Sequence, residues 1–169
     1  MQYDGLLLKL PQEIKWFLIA FVVVLSVGFY SGLLFVNETS TVEPNGIEEN
    51  YLGNENDTDA NIMKFKKSER EMLTVVHTHV LSMSMIFFLL GILVWLTKLP
   101  KGLKIFLTLE PFLSVLLTFG GIYLLWSGVL WFKYIVLFSG ILMTISFVAS
   151  TLLVLFQLLT KNTESVNQS

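Results

Sequence analysis

Four stretches of this chain are too long and too apolar to have water as their solvent. Trp16–Val36, Met72–Thr97 and Tyr134–Thr160 carry no charged side chain, and Ile105–Trp126 carries one, Glu110. A bilayer's hydrocarbon core is about 30 Å thick, and about 20 mostly apolar residues cross it as a helix. Lipid gives the backbone no hydrogen-bond partner, so each stretch must close its own amide bonds as a helix. The predicted fold class is an all-α integral membrane protein, a four-transmembrane-helix bundle. It forms one domain over 1–169, with spans at about 16–36, 72–97, 105–126 and 134–160. An exported loop, 37–67, joins helices one and two.

Composition narrows the function. Charged residues make up 14% of the chain, against roughly 25% in soluble domains. A net charge of −2 leaves no basic footprint for nucleic acid. With no cysteine there is no disulfide, thiolate metal site, iron–sulfur cluster or cysteine nucleophile. The first span is longer than the core of a cleavable signal peptide and no small-residue cleavage site follows it, so it reads as a retained anchor. Lys9 and Lys15 precede that span, and no basic residue occurs from Asn37 to Ile62. The link from Lys98 to Lys104 is short and basic. The positive-inside rule therefore predicts a multi-pass protein of the plasma (bacterial inner) membrane with both termini cytoplasmic.

The loop is acidic around Pro44-Asn45-Gly46, a composition that predicts irregular chain. It ends in Lys64-Phe-Lys-Lys67, which either rests against anionic headgroups or is the solvated flank of a helix start. Ser68 and Glu71 then have the spacing of a capping box, which predicts that helix two begins near Glu69.

Polar side chains inside a span are costly and tend to face other helices, and an ionisable one points to function. Helix two holds the chain's only histidines, His77 and His79. At about 100° per residue they point about 200° apart, so one helix cannot aim both at a single metal. Imidazole there can bind haem, relay protons or, for His79 with Met83 one turn on, hold copper. The alternatives are a structural pair of histidines and methionines that simply pack. The string His77-Thr-His-Val-Leu-Ser-Met-Ser-Met85 is similar to the His-x-His helices of the haem–copper oxidase superfamily. The likeness covers less than half of one span, and that superfamily's further histidines and spans are absent here.

Helix three aligns Glu110, Ser114 and Thr118 at intervals of four, with Pro111 opening a kink beside the acid. Glu110 is a candidate for proton handling or for anchoring a partner's basic group; the bland alternative is a protonated side chain bonded within its own helix. On helix four, Ser139, Ser146 and Ser150 lie on a 4-3 packing seam with Met143 and Gln157. Gly28 and Gly32 on helix one have the small-xxx-small spacing of close helix packing.

No nucleophile elbow, phosphate loop, zinc-protease motif or dinucleotide fingerprint occurs, so no autonomous catalytic residue is assigned. The reading that follows is a small accessory or cofactor-binding subunit of a membrane complex, redox or energy-transducing, with haem or copper as cofactor. Its partners are the lipid bilayer and other membrane subunits or a second copy. The alternatives are a small proton-coupled transporter working as a homo-oligomer, or an assembly factor whose exported loop binds a partner.

Overall fold

The computed structural model describes residues 3–40, 43–55 and 62–160. It is helical throughout, with no strand among the described residues. A short helix α1 (Leu6–Lys9) leads into α2 (Gln12–Ser40), followed by α3 (Pro44–Leu52) and α4 (Glu69–Leu96). The third span is built in pieces: α5 (Lys101–Val115), one π turn (Leu116–Gly120) and α6 (Gly121–Trp126). Helix α7 (Phe132–Leu159) closes the bundle. Four helical stretches are long and apolar enough to cross a membrane, matching the four predicted spans.

The third and fourth spans form the core, with α4 against α5 and α7. Half of the third span's apolar stretch is buried (50%), but only 6% of α2's is. Helix α2 leans on α7 at few points: Val22 is enclosed, and Phe29 stacks on Phe147 with ring centroids 3.8 Å apart. Gly121 permits the tightest approach inside the core, since a Cβ there would lie 2.9 Å from a Val136 methyl.

The capping box forms as predicted. Ser68 Oγ accepts the Glu71 N–H at 3.4 Å, and Glu71 Oε2 accepts the Ser68 N–H at 2.8 Å. The irregular loop expected between spans one and two is corrected. Helix α2 runs on past the bilayer-length stretch, and Pro44 starts a further helix where its missing N–H and fixed φ cost nothing. Ile47 is 8% exposed, and Tyr51 and Leu52 pack on the core, so α3 lies down on α6 and α7. Burial pushes the Tyr51 phenol above its ordinary value. Lys133 binds Glu48 at 2.7 Å and Asn45 at 3.1 Å, which fixes α3 to the start of α7. The chain then doubles back. The Asn54 N–H donates to the Lys64 carbonyl at 3.0 Å, and the Lys67 N–H to the Tyr51 carbonyl at 3.1 Å. Together these segments make a folded cap over one end of the bundle.

The opposite end, where α2 begins and α7 finishes, is fastened by polar contacts. The Gln157 amide grips the link between α4 and α5 on both sides. Its Oε1 accepts the Lys98 N–H at 2.7 Å, and its Nε2 donates to the Lys98 carbonyl at 3.3 Å. Lys104, the last residue of the short basic link, is 1% exposed and donates to Asp4 at 2.6 Å and the Trp95 carbonyl at 3.0 Å. Lys15 is likewise buried and donates to the Thr160 carbonyl at 3.2 Å.

Candidate functional site

The interval of four that aligns Glu110, Ser114 and Thr118 puts them on one face of the third span, and that face meets α7. All three are buried, as are Ser139, Ser146 and Ser150 on the facing helix. The carboxylate is held from both sides: one oxygen accepts the Ser114 hydroxyl on its own helix and the other accepts the Ser146 hydroxyl on α7. Further along, Thr118 Oγ1 and Ser139 Oγ are 2.7 Å apart. Ser139 Oγ also lies 2.7 Å from the Ile135 carbonyl, which engages its one proton, so Thr118 is the donor to Ser139. The two helices thus share a ladder of hydroxyls around one acid.

Backbone irregularity surrounds this ladder. Pro111 is buried next to Glu110 and supplies no N–H to the preceding turn. The π turn follows, and Thr118 and Phe119 project from it into buried positions. Single π turns inside helices are rare and recur at functional sites. A carboxylate between two hydroxyls, next to a proline and six residues before a π turn, can exchange a proton without large side-chain movement. It can equally serve as a specific interhelical bond.

The histidines lie elsewhere. His77 is exposed and lines a shallow groove with Glu69, Arg70, Leu73 and Thr74. His79 is also exposed; its Nδ1 donates to the Val75 carbonyl at 2.8 Å, and its ring stacks on Phe119 with centroids 4.8 Å apart. That bond engages Nδ1, so Nε2 is the ring nitrogen left for any ligand. Met83 is half-buried. No group of three or more His, Asp or Glu able to hold a metal occurs among the described residues. His79 and Met83 can therefore supply only part of a ligand set for copper, and the histidines only part of one for haem.

Of the packing residues, Ser139, Ser146 and Ser150 sit inside a helix contact. Gly28 and Gly32 do not: both are exposed, and a Cβ on either meets nothing within 4 Å. Sequence reasoning missed the Lys104–Asp4 pair altogether. Its signal was the acid at position 4 ahead of the first span, a charge with no local partner.

Residues 41–165 match a family model described as a transmembrane helical domain, a match that takes in the cap and the last three spans but not α2. No curated protein and no solved structure matches the chain.

Proposed function

The chain belongs to this family of transmembrane helical domains, and on that premise we propose that it is a small accessory subunit of a membrane assembly. It would sit in the plasma (bacterial inner) membrane with both termini cytoplasmic. The observation that carries this reading is the contrast between the third span and α2. Glu110 and its ladder of hydroxyls are enclosed between the third span and α7, whereas 6% of the α2 stretch is buried. The small-residue spacing on α2 therefore faces outward, where another helix can approach. A redox role within such an assembly would need a partner's ligand opposite His77 or His79.

Photo-crosslinking in native membranes tests the docking. Probes at Val24 and Val27, both exposed on α2, should give protein adducts of defined mass. A probe at Leu109, exposed on α5, should give lipid adducts. Lipid adducts alone from α2 would end this reading. An absorbance spectrum of the purified assembly tests the cofactor, and a Soret band reduced by His79→Ala would support it.

One observation favours a second reading, a proton-coupled carrier: an acid, a proline and a π turn share one span. Glu110→Gln should then abolish proton flux into liposomes driven by a membrane potential. Flux that survives the substitution removes this reading.

A further inference from the structure

We propose that the cap end carries a binding strip for an anionic phospholipid, built by the segment 62–70 and the first two turns of α4. This strip plays no part in the accessory-subunit reading. Three observations place it. First, depth: Trp126 ends the third span, and its Nε1 donates to the Lys67 carbonyl at 2.7 Å while the Lys66 ammonium lies 5.1 Å from its ring centroid. Tryptophan at the end of a span sits at the headgroup level, so the strip is pinned at that height.

Second, the strip is amphipathic along its length. Ile62, Met63 and Phe65 are 72%, 58% and 68% exposed, although the cap has a core available to it. They are interspersed with Lys64, Lys66 and Lys67. Apolar side chains left open beside cations at this depth match acyl chains beneath phosphates. A free inorganic anion would use only the cations.

Third, Arg70 lies between two shallow grooves. One, of about 320 Å³, is lined by Lys67, Arg70, Glu71, Thr74 and Val75. The other, of about 440 Å³, is lined by Glu69, Arg70, Leu73, Thr74 and His77. Each pairs a cation and a hydroxyl with an apolar wall, as a headgroup joined to a chain requires. Glu71 Oε2 accepts the Ser68 N–H and hydroxyl, and in the first groove its single charge is outnumbered by Lys67 and Arg70. Each groove has one acid in its lining, but the first sets Lys67 and Arg70 against Glu71 while the second sets Arg70 against Glu69, which directs the phosphate to the side shared by Lys67 and Arg70.

The test uses the full chain in nanodiscs of equal phosphatidylcholine and phosphatidylglycerol, with native mass spectrometry counting the lipids that stay bound. Phosphatidylglycerol should be retained preferentially. K67Q/R70Q should lower that preference by about fivefold per charge removed. Phe65→Ser should reduce retention of both lipids, and K98Q/K101Q at the opposite end should change nothing. Excess inorganic phosphate should leave the preference in place. Equal retention of the two lipids by the native chain overturns the proposal. So does a preference that survives K67Q/R70Q, falls as far in K98Q/K101Q, or is erased by phosphate. Circular dichroism checks each variant's fold; if K67Q/R70Q does not fold, Arg70→Gln alone is read against the same outcomes.

Discussion

Ser146 and Glu110 come from different helices, so Ser146→Ala removes a bond between α7 and the third span without touching either backbone. The carboxylate oxygen it leaves behind is buried, and stranding such an acceptor costs more than a neutral hydrogen bond contributes. Ser146→Ala should lower stability by about 1–2 kcal/mol in an SDS unfolding titration. Glu110→Gln should cost less, because a serine hydroxyl can turn to accept from an amide as readily as it donated. Equal losses would mean that the ladder does not bond as described. The members of this ladder were legible in the sequence: intervals of four on one helix and 4-3 on the other single them out. Their pairing was not. Which serine meets the acid depends on how far each helix is rotated and slid, and tertiary packing sets both. For the histidines the same gap works in reverse. Their spacing separates them correctly, but nothing local reveals that His79 stacks on an aromatic ring of another span.

Helix α4 and helix α3 show why one element start could be read and the other could not. The Ser68–Glu71 box is closed by atoms four residues apart or fewer, so its information is wholly local. Helix α3 has nine residues, too few to hold alone, and it persists because Ile47 and Tyr51 find the core and Lys133 reaches Glu48. Its turn-rich composition pointed to irregular chain because those supports lie far away in sequence. Gly53 tests the cap as a unit. Its φ of 83° and ψ of 173° belong to a region only glycine occupies comfortably. A Cβ there would also come within 2.8 Å of the Lys64 carbonyl and the Lys66 nitrogen. Gly53→Ala should cost about 1–3 kcal/mol. The readout is faster amide exchange in Pro44–Leu52 with exchange in α7 unchanged; faster exchange in both would mean that cap and bundle unfold together.

Over the whole molecule, hydropathy specified how many helices are long and apolar enough to cross the membrane and roughly where they lie, since lipid leaves that choice to each segment alone, although α2 extends beyond its apolar stretch at both ends. It did not specify their neighbours, nor that α2 would be the outlier. Each end of the bundle carries a lysine–carboxylate pair, Lys133–Glu48 at the cap and Lys104–Asp4 at the other. The Lys104 ammonium bonded to Asp4 holds that carboxyl below its usual range. A depressed folded value means that the tether contributes above the unfolded carboxylate value, near pH 4, and is lost as pH falls through the folded one. Amide exchange in Leu6–Lys9 should therefore accelerate as the solution is acidified below about pH 4, beyond the intrinsic pH dependence of exchange. Asp4→Asn should remove that extra dependence, and an identical profile for the two proteins would show that Asp4 does not titrate as a tether. Gln157 carries a consequence for biogenesis. It lies 59 residues beyond Lys98, whose backbone it clasps, so the hairpin of the second and third spans is synthesised before its fastener. Insertion into the bilayer and locking of the turn are separate events in time, and a chain halted before the last span is made would carry an open hinge.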